Sequence, residues 1–551
     1  MHVNWRRPEW TRRRALGRGG PLRVRVVASI AAIVVLAGLG GAFGSGSAQA
    51  VARSVHLSAV NDSSPVRGGV LTFARALEPT SFTPWIGVAN GDIFADMQIY
   101  DGLVEAAPGT YQPQPGLADS WSISADKLVY TFHLRPHVRF SNGQALTAAD
   151  VKYSVDNAKN PKVDGNYAGL FETIKSVSIP DPQHVRLVLT RPTPALLYNL
   201  TISGALIVPK SVVQKLGPTK FGFHPVGTGP FMVTSFSAAS PTITLKRNPY
   251  YWRKGLPYLD GITYKYIPDD TARMLAVESG SAALGENVPY SQLARVTGTA
   301  GVKVVSRPAF ANDWIFINGY RSPLDKVAVR QALLYATPLA AIARVVFHGV
   351  APVAATANMP TKYLDRSIKP YPYDVSKAAG LLESAGVSKL RLTLTIVSGD
   401  SVAKQVATIL QGSWAKAGIT LSVQTKDSNS VNNDLNGENF QLVNTPPNAQ
   451  TSDVPVDDEY DQYMTSDTRG HYTWAGWNDP KAKALVQQAL TATSEAVRTR
   501  AFHQYQQELY REQPIIGLVY PPNLFAVRSN VHGFDATANG WPILARTWLS
   551  R

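Results

Sequence analysis

An α/β protein of two or three domains is predicted, and three observations predict it. The chain has 551 residues, more than one hydrophobic core organises. Its 44% hydrophobic and 17% charged content suits a folded globular protein and not a disordered one. Its later half alternates segments of helical period with short β-branched runs, the pattern of strands covered by helices.

In chain order, the first element is a leader. Arg6, Arg7, Arg12, Arg13, Arg14, Arg18, Arg23 and Arg25 against Glu9 precede an uncharged run over residues 26–43, and Ala48, Gln49 and Ala50 form a small-residue cleavage site. Residues 1–50 therefore read as a signal peptide, with Val51 as the mature N-terminus. About half of the formal +15 net charge sits in this leader, so nucleic-acid binding loses its compositional argument. Thr11 to Leu16 loosely match a twin-arginine signal, which leaves both the general and the twin-arginine export routes open. The apolar run is at the lower edge of a membrane span, so an uncleaved anchor is the alternative fate. The sequence has no cysteine, hence no disulfide and no lipid-modified cysteine.

A polar linker over residues 51–66 leads to a first strand at 69–74 and a loop rich in proline and threonine at 78–85. Residues 130–140 are strand-like, Asn142-Gly143 is a hairpin turn, and Thr147 caps a helix with Asp150 placed to close a capping box. A strand at 185–189 and a proline-opened helix at 192–203 follow. Around the glycine- and proline-punctuated turn at 225–231, strands are expected at Phe231–Ser235 and 242–246, ending in an aromatic corner at Tyr250, Tyr251 and Trp252 that reads as core. Later come helices at Val327–Tyr335, Val375–Ser384, 401–417, 480–490 and 496–512, and strands at 392–397, 420–424 and Ile515–Val519. No internal repeat is found.

Catalysis finds little support. The only approach to a nucleophile elbow, Gly44-Ser45-Gly46, lies in the leader, as do the glycines of 38–46. His133 and His137 are four apart but on a strand interrupted by Pro136, so surface or hairpin packing is expected and no metal. Asp269 with Asp270, and Asp457 and Asp458 with Glu459, are adjacent in sequence, whereas glycosidase chemistry needs carboxylates facing across a cleft; they read as solvated loops. Trp474 and Trp477 read as packing for the helix that opens at Pro480. Binding outranks catalysis, and no cofactor is predicted.

Several blocks in one order carry a more specific resemblance. PVGTGPF at 225–231 with LKRNPYYW at 245–252, YDGLV at 100–104, PGLADSW at 115–121, the run 130–154, VRQALLYA at 329–336, KAAGLLESAG at 377–386 and residues 409–418 resemble the family-five extracellular solute-binding proteins of ABC importers. The resemblance implies a two-lobed periplasmic-binding-protein (Venus-flytrap) fold with an extra domain inserted in the first lobe. Residues 51–100, 210–309 and 516–551 would build the first lobe, 101–209 its inserted domain, and 310–515 the second lobe. Segments 308–314 and 515–521 would be the hinge.

By the same resemblance the protein is an exported monomer at the extracytoplasmic face. It captures a peptide-like or other small polar solute and hands it to permease and ATPase subunits, touching the membrane through them or through an uncleaved leader. A secreted hydrolase, or a sensor or scavenger without transport, is the rival reading. Ligand contacts are expected from Trp85, Val88, Ala89 and Asn90 after the first strand, from Tyr167 in the inserted domain, from Glu286 and Asn287, and from Asn444, Asn448 and Gln450 in the second lobe. Relatives that bind peptides carry an ammonium-binding aspartate where this chain has Gln450, a tryptophan where it has Pro447, and an acid where it has Ala283; Asp453 matches a second acid. A neutral amide makes no charge-assisted bond, so a neutral solute or a blocked amino end is expected.

Overall fold

The computed structural model describes residues 64–86, 90–108, 112–163, 167–236, 242–445 and 475–550. The leader, the acids at 457–459, Pro447, Asp453 and Trp474 lie outside these residues, as do the expected ligand contacts Val88, Ala89, Asn448 and Gln450; of Asn90 only the backbone is described.

Three sheets organise the chain. The first has seven strands in the order Val302–Arg307, Asn523–Arg528, Leu284–Glu286, Val70–Arg75, Gly261–Tyr266, Thr242–Arg247, Phe231–Ser235. Val70–Arg75 is central and parallel to both neighbours, with Val70 opposite Gly261 and Phe73 opposite Leu284. Such a strand must be covered on both faces. The helix Asn90–Ile99 does this on one side, where Ile93, Phe94 and Ile99 join Phe73, Phe231 and Tyr264. Met274 and Val277 of the helix Asp270–Glu278 pack with Ala74 in a second cluster.

The second sheet is antiparallel, in the order Ala118–Ile123, Val129–Leu134, His184–Leu189, Ile174–Asp181. Its middle strands alternate buried and open residues. Phe132 and Leu187 pack on Val151 and Val155 of the helix Ala148–Ala158 while the other face meets water. Thr147 and Asp150 make the full capping box.

The third sheet runs Ile419–Lys426, Leu390–Val397, Leu442–Asn444, Asp313–Ile317, Ile515–Val519. The first three are parallel and the last two join antiparallel. Buried Trp414, on the helix Ser401–Ala415, donates its indole N–H to Thr337 Oγ1 at 3.1 Å.

The first and third sheets are joined by two crossings that lie side by side. Val302–Arg307 pairs with Asn523–Arg528 in one sheet, and after a few residues Asp313–Ile317 pairs with Ile515–Val519 in the other.

The signature blocks meet in one scaffold. Asp101 Oδ2 accepts from Thr228 Oγ1 at 2.8 Å and from Trp252 Nε1 at 3.0 Å, and Asn248 Nδ2 donates to the Gly229 carbonyl at 2.8 Å. Arg135 and Arg253 cover the Trp252 ring at 4.8 and 4.5 Å. A Cβ at Gly227 would stand 2.1 Å from the Ile99 carbonyl oxygen, so only glycine lets this turn reach the helix end. Tyr250 departs from the expectation of core: it is 45% exposed and lies over Gly143 of the hairpin turn. The expected helix at 192–203 is also shorter, a turn at Leu196–Asn199 and a 3-10 turn at Ser203–Ala205, because Pro192 and Pro194 hold the residues before them extended.

Candidate functional site

The first-lobe part of the site grows from the ends of its two parallel central strands. Glu286 closes Leu284–Glu286 and is buried. Its carboxylate takes the Ala76 N–H at 2.7 Å and the Arg75 Nε at 3.2 Å, so the acid is neutralised within its own sheet. The Arg75 guanidinium is itself stacked on Phe94, 3.7 Å from the ring centre. Arg273 Nε adds a bond to the Glu286 carbonyl at 3.0 Å. Asn287 then turns the chain with φ of 55° and leaves its side chain exposed. Asparagine tolerates this left-handed backbone better than most residues.

Two other residues expected to touch the ligand are buried. Trp85 is 3% exposed and meets Tyr153 edge-on at 6.4 Å. Tyr167 is buried against Gly204, and its hydroxyl accepts from Ser203 Oγ at 3.2 Å.

The second-lobe part sits at the carboxyl ends of Leu390–Val397 and Leu442–Asn444, where open α/β sheets place ligands. Asn444 is buried and donates to Asp313 Oδ1 at 2.9 Å and to the Trp314 carbonyl at 2.6 Å. Asp313 opens its strand at a crossing between the lobes. The amide of Asn444 is its side chain's hydrogen-bond partner among the described residues, and no cation pairs with it there. Burial pushes the Asp313 carboxyl up to about 7, Asn444 pulling it down and the Asp400 carboxylate adding to the rise. Tyr290, four residues after Glu286, reaches across to meet Phe347 edge-on at 5.0 Å, and burial, then the charge of Asp313, raises its phenol.

The fold therefore brings Glu286, Asn287 and Tyr290 together on one side, and Asn444, Asp313 and Asp400 on the other. Trp85 and Tyr167 lie within their own packing clusters. Asp313 and Arg75 were missed by sequence reasoning. The usable signal was an acid opening the otherwise apolar run DWIFI within a crossing segment.

A separate cavity of about 430 Å³ lies wholly outside the third sheet, lined in part by Gln98, Asp101, Glu105, Tyr251, Arg253 and Thr537. Arg253 pairs there with Glu105 at 2.6 Å, and burial raises the Asp101 carboxyl against its two hydrogen bonds. It belongs to the scaffold seam already described.

Comparison with known proteins fits this architecture. Residues 112–472 match the family described as bacterial extracellular solute-binding proteins, family 5 Middle. The glutathione-binding protein GsiB of Escherichia coli is 28% identical over 431 residues, covering 76% of this chain and 82% of that one. Among solved structures, the periplasmic binding protein DppA of Helicobacter pylori, in complex with the peptide STSA, superposes with a TM-score of 0.75 at 24% identity, covering 88% of this chain and 99% of that one. The oligopeptide-binding protein AppA of Bacillus subtilis, holding a nonapeptide, gives 0.74 at 23%, covering 89% and 100%. The fold is thus the two-domain α/β periplasmic-binding fold with additional subdomain sheets.

Proposed function

The chain belongs to the family 5 extracellular solute-binding proteins, extracytoplasmic subunits of ABC importers that bind and do not catalyse, and on that premise we propose that it captures a peptide-like or small polar solute between its lobes for delivery to a permease. The carrying observation is the pair of crossings flanked by Asp313 and Asn444 on one lobe and Asn287 and Tyr290 on the other. Asn287, Asn444 and Asp313 contact the solute in this reading, while Glu286, Trp85 and Tyr167 support the walls. The glutathione and peptide ligands named for relatives favour a peptide-like molecule. In this reading Asp313 supplies a carboxylate that Gln450 does not, which favours a solute with a cationic or donor-rich end over the neutral solute expected from Gln450 alone. A solute touching both lobes favours the closed form, because only closure completes its contacts.

Mass spectrometry of small molecules released from the purified protein on denaturation identifies the solute without a guess. Its return at saturation shrinks the radius of gyration in small-angle scattering. An unchanged radius with proven binding sinks the hinge reading.

A further inference from the structure

The outer face of the antiparallel sheet carries a row that solute capture does not use. Reading across its four adjacent strands, Asp119, His133, His184 and Asp181 stand side by side, His133 being directly opposite His184 in register. His133 Nδ1 meets Asp119 Oδ1 at 2.7 Å, and His184 Nδ1 meets Asp181 Oδ1 and Oδ2 at 2.9 and 2.8 Å. A carboxylate can only accept, so each ring carries a proton on Nδ1, and in the neutral ring Nε2 keeps the lone pair. No hydrogen bond to either Nε2 is found among the described residues.

The carboxylates are themselves held. Ser120 Oγ and the Gln183 N–H donate to Asp119 and Asp181 at 2.9 Å each. An imidazole whose Nδ1–H is tied to a carboxylate is the arrangement that orients histidine toward a metal.

Spacing agrees. With Zn–N bonds of about 2.0–2.1 Å, two imidazoles on one tetrahedral zinc put their ring centres about 5 Å apart. The two rings here are 5.0 Å apart and inclined by 54°. Both side chains are about one-third exposed, so the remaining coordination positions open to water. Among the described residues no three histidine, cysteine or acidic groups converge on one ion, so the protein would supply two ligands.

We propose that His133 and His184 form a surface site for a divalent transition ion of the zinc class, with Asp119 and Asp181 as positioning residues. Nickel and copper compete for such an imidazole pair, whereas magnesium and calcium, which want oxygen ligands, do not. The site lies on the inserted sheet and is independent of the solute cleft. His137 takes no part: it sits in a left-handed turn (φ 63°) beyond the strand.

The test is calorimetric titration of the untagged, full exported protein with Zn²⁺ in a non-chelating buffer, with nitrogen-15 NMR of the imidazoles alongside. The expected result is one ion per chain displacing both Nε2 resonances, with both Nδ1–H groups retained. His133→Ala and His184→Ala should each weaken binding at least tenfold, and Asp119→Asn by about 10–100-fold while Nε2 remains the ligand atom. His137→Ala should change nothing. Unaltered zinc binding in the folded His133→Ala/His184→Ala double variant, or no uptake by the wild type at millimolar zinc, overturns the site.

Discussion

Two buried acids flank the junction of the lobes, and their surroundings are opposite. Glu286 is met by the Arg75 guanidinium and a backbone N–H; Asp313 is met by a neutral amide, with Asp400 as a like charge nearby. A paired buried acid is structural, because its charge is already used. A buried acid without a counter-charge is costly to ionise, and it becomes useful when a ligand brings the missing charge. The difference fits a structural role for Glu286 and, on the proposed function, a recognition role for Asp313.

Breaking the paired side gives the largest effect. Arg75→Met keeps much of the stacked length over Phe94 but leaves Glu286 buried without a cation, a change that costs roughly 3–5 kcal/mol. Urea unfolding at neutral pH measures it. Because the orphaned carboxyl can take up a proton, the loss should shrink in acid. A loss below about 1 kcal/mol would place Glu286 with the surface pairs and dissolve the contrast.

Much of the framework on which these acids sit was legible, because it is local. The helices Val327–Tyr335 and Val375–Ser384 and the strand Ile515–Val519 fall where periodicity puts them, and the Thr147–Asp150 capping box needs only four residues. The helix Asn90–Ile99 left no amphipathic trace because it is buried nearly all round, and Ile174–Asp181 left none because it is mostly exposed. Site chemistry was less legible for a different reason. Arg75 meets Glu286 across 211 positions of sequence, and Asn444 meets Asp313 across 131. Glu286 and Asn444 were chosen from sequence, but the partners that decide what each can do are non-local.

Removing Asp313, which has no counter-charge among the described residues, sharpens the contrast through two effects of opposite sign. Folded Asp313 holds its proton to about pH 7, whereas an unfolded aspartate releases it near 4. Between those values the folded state binds more protons, so stability falls as pH rises, and the deficit is complete above about 7. Asp313→Asn should therefore stabilise the protein by roughly 2–4 kcal/mol at pH 8 and little at pH 4. It should also weaken a cationic solute by about 1.5–3 kcal/mol, the worth of a hydrogen bond to a charged group. Denaturation at the two pH values and titration with the recovered solute read both. Equal destabilisation at both pH values would mean that Asp313 is held ionised by something else and belongs with Glu286.

The smallest effect isolates the like charge. Asp400 caps the helix Ser401–Ala415 by accepting the Ala403 N–H at 2.9 Å, and its charge contributes to raising Asp313. Asparagine caps a helix about as well as aspartate, so Asp400→Asn should alter stability at pH 5 by no more than about 0.5 kcal/mol. What it removes is the repulsion. The Asp313 carboxyl should then titrate lower, though still well above an ordinary aspartate, because burial is the larger cause and is untouched. Carbon-13 NMR of the Asp313 carboxylate follows that titration directly. A return to an ordinary value would show that the neighbouring charge, and not burial, distinguishes this acid from Glu286, and would move the recognition role from Asp313 alone to the Asp313–Asp400 pair.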